Sequence, residues 1–326
     1  MKCELKRQIP ALIFAFFCFY VPALVLTGEE IEASTDISLQ ISSRPEAKLS
    51  LTQSFTFPFL RGSSPLTSGN NIKTALTAEV SPISLGAIGE ATWTPIAFLQ
   101  LAAGGRVGSA WNMPLGNGIG LNVPVGNYNP DNPREAEING SAFDGLQWSA
   151  WVGGAFQFDL AAVIPGDWNH VVFRAYDELR YSAYTRAGSG DSWIFENDDG
   201  ENRNGWIWHG NAVLGYQMPR SPVLDFVGIM GELEFNLYNT PGWEYWGDNY
   251  LGHNGRITLS GFFNFAITPR LNTSLIFQMR TRRNHGTSDL ENKDDLWYQD
   301  LELKHDNGSQ RLVFYRAALI LSYKLR

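Results

Sequence analysis

The chain has 326 residues, with 25 basic against 33 acidic side chains and a net charge of −8. Its two cysteines, Cys3 and Cys18, both fall within the first 28 residues, so beyond that point neither a thiolate metal site nor a disulfide framework can be built. No basic stretch is interleaved with aromatics, which argues against nucleic acid as a partner.

Residues 1–28 read as a signal peptide. Lys2, Lys6 and Arg7 make a basic start, and Ile9 to Leu26 is uncharged and apolar. Small residues permit cleavage after Gly28 or Ala33. The apolar run is long for a leader, so a retained helical anchor is the alternative. Cys18 follows Phe16 and Phe17, where a lipid-attachment site wants small residues. Lys2, Lys6 and Arg7 against Glu4 give this segment +2, which leaves −10 for the remainder. After it, no apolar run approaches the roughly 20 residues of a membrane helix.

The segment 34–326 alternates apolar and polar residues. Side chains on a strand point to opposite faces with period two, so each alternating run is a strand with one apolar face. Ile37, Leu39 and Ile41 form one such face, and Leu49, Leu51, Phe55 and Phe57 the next. Strands follow over 72–80, 83–93 and 97–111. The longest run, Leu146 to Ile164, predicts a single strand of about 60 Å at about 3.3 Å per residue. On the next strand Asp177 takes the apolar parity, which predicts a bulge or a stretch above the membrane. Further strands are expected over 206–218, 223–237, 257–267 and 271–279. A last strand aligns Tyr315, Ala317, Leu319, Leu321, Tyr323 and Leu325.

Short connections carrying proline lie at 165–167, 219–222 and 268–270, with similar ones at 81–83 and 94–96. Long polar segments occupy 112–142, 188–205, 240–255 and 284–310. Short turns opposite long loops are the asymmetry of a transmembrane β-barrel, with the short turns periplasmic. The expected fold is therefore all-β, a single antiparallel transmembrane barrel of about 12 strands, with 10 to 14 as the range. The even count places the 81–83 turn outside, unlike the other proline turns. A large soluble β-sandwich is the competing expectation, because it also alternates and Trp151, Leu224, Phe226, Phe262 and Ile276 put apolar groups on the second face.

The leader, the cysteine-free remainder, the alternating strands and the final Leu319-Ile320-Leu321-Ser322-Tyr323-Lys324-Leu325-Arg326 resemble outer-membrane β-barrel proteins of porin type. In that class the last strand usually ends on an aromatic read by the insertion machinery; here Tyr323 is third from the end. The resemblance implies the cell outer membrane as location, with lipid and that machinery as partners. It implies no particular solute.

The second parity collects charges. Arg174, Glu178, Arg180 and Arg186 alternate on one strand; Glu232 and Glu234 lie on another; Arg280, Arg282 and Arg316 lie on the last two; Glu79 and Glu90 join them. Such charges either line a pore and select solutes or fill a closed lumen as ion pairs. The candidate pore-lining set is Arg174, Glu178, Arg180, Glu232, Glu234, Arg280, Arg282 and Arg316, with Arg280, Arg282 and Arg316 expected to form one basic patch. The expected function is a passive channel for small polar solutes, without cofactor, metal or catalysis. The alternative is a narrow, non-conducting barrel whose outer loops bind a partner. A third reading, an outer-membrane hydrolase, has only scattered residues behind it: Gly190-Asp191-Ser192, Asp167 with His170, and His305 with Ser309. An acidic loop (Glu196, Asp198, Asp199, Glu201) and an aromatic loop (Trp243, Tyr245, Trp246, Tyr250) suggest divalent-ion or sugar contacts as lesser options beside a solvated loop and interfacial anchoring.

Overall fold

A computed structural model describes residues 31–44, 46–113, 120–122, 142–166, 168, 170–188, 193–196, 202, 204–219, 221, 223–237, 256–283 and 310–325. Fourteen strands run through them: β1 (Glu32–Ser42), β2 (Ala47–Pro58), β3 (Asn71–Val80), β4 (Ser84–Ile96), β5 (Leu99–Ala110), β6 (Leu121–Asn122), β7 (Gln147–Asp159), β8 (Val171–Tyr184), β9 (Ile194–Phe195), β10 (Gly205–Gln217), β11 (Leu224–Asn236), β12 (Arg256–Ala266), β13 (Leu271–Arg283) and β14 (Gln310–Lys324). Twelve of them form one closed barrel in which every pair is antiparallel, in the order β1-β14-β13-β12-β11-β10-β8-β7-β5-β4-β3-β2. β1 closes it, pairing with β2 on one side (Ile37 opposite Leu51) and with β14 on the other (Ile37 opposite Tyr323). The two short strands β6 and β9 pair only with each other.

The alternation decides which face looks outward. Leu51, Val152, Ile229 and Phe277 are 47, 59, 63 and 49% exposed, far more than any soluble core would leave them. Phe156, Phe158, Phe263 and Tyr323 are also exposed, and Phe265 is half-buried on the same parity. Most inward positions are small or polar, and Ser54, Ser149, Ser182, Thr258, Ser260 and Gln278 are buried there. This is an inside-out sheet, apolar toward lipid and polar within. The soluble sandwich is excluded, because its apolar face would be packed. Outer-face rings gather near the loop-bearing end: Trp148 lies 5.4 Å from Tyr181, Tyr181 5.2 Å from Trp206, and Trp208 5.5 Å from Phe235. Amphipathic rings favour the membrane interface.

Several expectations change in detail. The ladder begins at Glu32, before the expected start at 34. The long run from Leu146 ends as a strand at Asp159, whose carboxylate accepts the Ala161 N–H and starts a 3₁₀ turn over Leu160–Ala162. Thirteen residues span about 40 Å, not 60. Pro95 lies within β4, at a register shift between Trp93 and Ile96, rather than in a turn. At Asp177 there is no bulge: it stands in regular register between Gly154 and Gly210. A Cβ on Gly210 would meet its Oδ1 at 2.8 Å, so the glycine makes room for the carboxylate. A bulge does occur on β14, where Gln278 faces Arg316 but Met279 faces Phe314. The extra residue, Tyr315, leaves the outward series, and Phe314 takes the outward place at 62% exposure. A shift between Leu224 and Phe226 likewise brings Leu224 opposite Phe265, onto the outward parity.

The outward assignment is tested with single cysteines in the otherwise cysteine-free strands. A fluorophore at Phe277→Cys should be quenched by brominated lipid, and one at the neighbouring inward Gln278→Cys should not. Ile229→Arg should cost about 2–4 kcal/mol in denaturant titrations against vesicles, the penalty of a guanidinium near the bilayer midplane.

Candidate functional site

With the outer face committed to lipid, chemistry is confined to the lumen and the loops over it. The inward positions of β4, β5, β7, β8 and β10 enclose a cavity of about 300 Å³ lined by Glu90, Thr92, Gln100, Ala102, Trp151, Ala155, Arg174, Tyr176, Glu178, Arg180, His209 and Asn211. The ladder explains the grouping: Trp151 is opposite Arg180, Gly153 opposite Glu178, and Glu178 opposite His209. Small residues on β5 and β7 make room, since a Cβ on Gly104 would meet the Trp151 ring at 2.5 Å.

Charges on this wall are mostly paired. Glu178, almost fully buried, receives the Tyr176 hydroxyl at 2.7 Å and lies 2.6 Å from the Arg180 guanidinium. The Arg180 guanidinium also stacks over the Trp151 ring at 5.2 Å, and the Trp151 indole N–H donates to Glu90 at 3.3 Å. His209 bridges toward Glu232, with Nε2 3.6 Å from the carboxylate. Glu234 pairs with Arg256 on the adjacent strand.

The basic patch on the last strands takes a different form from the one expected. Arg280 stacks over Tyr315 at 3.7 Å, with Arg44 at 4.7 Å and Arg316 at 5.4 Å from the same ring. The β14 bulge puts that ring there. Arg316 is tied down by Glu46 at 2.8 Å and donates to Gln278 at 2.6 Å. Arg282 lies on β13 opposite Arg311, and its side chain is outside the described ones. Arg186 lies beyond the end of β8, in a turn at the rim, where it pairs with Asp144 at 3.1 Å instead of joining the lumen series. Part of the lumen is simply filled: Phe226 and Phe262 stack at 5.5 Å, over glycines 215 and 228 whose Cβ atoms would collide with them.

The segment that sequence reading missed is the loop between β8 and β10. Ile194–Phe195 pairs with Leu121–Asn122 from the β5–β7 loop, and Leu121, Trp193 and Phe195 pack with Ala110 and Tyr184. This cluster lays Glu196 against the opposite wall. Its carboxylate accepts from Lys48 at 3.0 Å and Ser84 at 2.8 Å and lies 3.4 Å from Arg106, which also pairs with Glu79. Glu196 holds a left-handed backbone at φ 60°, uncommon for a residue with a side chain. Burial pushes its carboxyl up, but Lys48, Arg106 and the Ser84 hydroxyl outweigh that and hold it below the ordinary carboxylate range. Only the acidic character of this loop was visible in sequence, since nothing local says that Glu196 meets Lys48 148 positions away.

Most residues of the hydrolase reading, residues 190–192, Asp167, His305 and Ser309, lie outside the described residues. So do Asp198, Asp199 and Glu201 and the aromatic loop at 243–250. His170 is described, and its Nδ1 is 3.1 Å from Asp159 at the end of β7.

Neither a family model nor a curated protein matches the sequence. Solved structures of similar fold include the NanC porin (8% identity, TM-score 0.40, covering 89% of this chain and 98% of that one). The KdgM porin in complex with disordered oligogalacturonate aligns at 11% identity and TM-score 0.35, over 90% and 99% of the two chains. The outer membrane channel DcaP of Acinetobacter baumannii aligns at 7% and 0.32, over 91% and 97%. The chain is a closed twelve-stranded β-barrel of the membrane-spanning type. That placement rests on the closed ladder and the exposed apolar belt; similarity this low carries no solute with it.

The Glu196 contact has a definite pH dependence. A carboxylate whose folded value is depressed contributes fully above its unfolded value and loses that contribution as pH falls through the folded one. Protection of the 193–196 amides, after correction for the intrinsic pH dependence of exchange, should therefore stay high at neutral pH and fall below the ordinary carboxylate range. In Glu196→Gln it should be lower at neutral pH and flat through that window.

Proposed function

We propose that the chain is a passive outer-membrane channel for small polar solutes. One observation carries the reading: the closed barrel encloses a hydrophilic wall with a cavity of about 300 Å³. A barrel that served only as a scaffold could fill its interior, as Phe226 and Phe262 do on one side. The wall from β4 to β10 instead presents guanidinium, carboxylate, imidazole and amide groups to open space. Fixed charges there would act on a solute through a lumen of low dielectric.

The candidate lining residues divide by their pairing. Arg180 with Glu178, and Arg316 with Glu46, are internally compensated and hold the wall's shape. Arg280 stacks on Tyr315 beside Arg44 and donates to Thr258, and Arg44 lies 4.0 Å from Glu46. The competing reading, a narrow barrel serving its loops, draws support from the β6–β9 pair and from Glu196 across the mouth. Insertion through the last strand, with Tyr323 toward lipid, belongs to either reading.

Refolded protein in planar bilayers should give discrete single-channel steps; if no steps appear, the non-conducting reading takes over. Neutralising Arg280 and Arg282 together should move the reversal potential toward cation preference, more at low salt because screening is weaker. Glu46→Gln, which releases Arg316, should move it the other way.

A further inference from the structure

Two charges on the cavity wall stand apart from the rest. Glu90 on β4 has no cationic partner among the described residues; its carboxylate is met by the Trp151 indole N–H and, at 3.4 Å, by the Thr92 hydroxyl. Arg174 on β8 has no anionic partner among them; its guanidinium lies 5.3 Å from the centre of the Tyr176 ring. Elsewhere on the inner wall the rule is pairing, as with Glu79 and Arg106, Glu178 and Arg180, Glu234 and Arg256, and Glu46 and Arg316. Glu90 and Arg174 line the same cavity from strands separated by β5 and β7.

The groups between them add polar capacity. Arg180 Nε and His209 Nδ1 are buried without a hydrogen-bond partner, although both residues line the cavity. Glu178 adds a carboxylate, but Arg180 already compensates it. The cavity lining is thus near neutral overall yet polarised, with an acceptor on β4 and a donor on β8 that no described residue compensates. Its volume of about 300 Å³ is at the small end of ligand sites.

We infer that the cavity is a subsite for a small zwitterion, with an ammonium on Glu90 and a carboxylate on Arg174, of amino-acid or dipeptide size. This deepens the channel reading and rests on it. An anion alone would leave Glu90 uncompensated and facing like charge, and a cation alone would do the same for Arg174. A solute carrying both charges satisfies each without net charge entering the lumen.

Uptake into proteoliposomes at pH 7 of four analogues of similar size tests this: glycylglycine (zwitterion), N-acetylglycine (anion), glycylglycinamide (cation) and N-acetylglycinamide (neutral). Glycylglycine should enter saturably and about tenfold faster than the others at low concentration. Glu90→Gln and Arg174→Gln should each remove that advantage, the first improving the anion relative to the cation and the second the reverse, and the double variant should be no worse than either single one. The heat-modifiable gel shift of folded barrels confirms that each variant has folded. If all four analogues enter wild type equally and without saturation, the channel reading stands and the zwitterion site falls. If none enters, the channel reading falls, and saturation-transfer NMR of glycylglycine on the detergent-refolded protein decides the site. Binding lost in both single variants supports it, and no binding to wild type overturns it.

Discussion

Backbone hydrogen bonding in hydrocarbon governs this molecule. An unpaired N–H or C=O within the bilayer costs several kcal/mol, so a sheet that crosses must close on itself. Here closure depends on one seam, β1 against β14, where Asp36 to Ser42 pairs with Lys324 to Ala318. Once the ladder is closed, the pleat sends every second side chain outward and the others inward. The outer half must be apolar, and the inner half is released from that demand and filled with serine, glycine, glutamine and charge.

The same geometry accounts for the electrostatic order of the lumen. Charges facing a confined, partly dry space are costly alone, so most find partners across neighbouring strands or two positions along one. Arg180 with Glu178 is the within-strand case, and Glu234 with Arg256 the cross-strand one. Paired charges fix the wall and leave little net field. Glu90 and Arg174, which line the cavity and have no counter-charge among the described residues, are placed to act on a solute.

The rim is uneven, and this gives the inward loop its place. The outer turns at 43–46 and 81–83 are short, so β1 to β4 end low, whereas the connections from β5 to β7 and from β8 to β10 are long. Residues 193–196 lean over that low side, and Glu196 finds Lys48, Ser84 and Arg106 there. The 81–83 turn, unlike the other proline turns in lying outside, helps leave space for this contact.

Strand positions, the outward faces of Phe156, Phe263 and Phe277, and an even count near 12 could be read from the chain because period two is a local property. Any stretch of alternating residues carries its own evidence of which side meets lipid. The inward parity of Arg174, Glu178, Arg180, Glu232, Glu234, Arg280 and Arg316 was legible for the same reason. Departures came where one residue breaks the period: the extra Tyr315 turned a ring from lipid to lumen, the Asp159 turn cut short the longest run, and Arg186 fell past a strand end. Pairing across the barrel was beyond local reading. Which carboxylate meets which cation depends on strand register and on loops that return across the lumen, and these follow from closure of the whole sheet. The sequence by itself determined a barrel with a charged interior. Only the tertiary structure decided which of those charges are spent on each other, because that is a matter of distance between strands far apart in the chain.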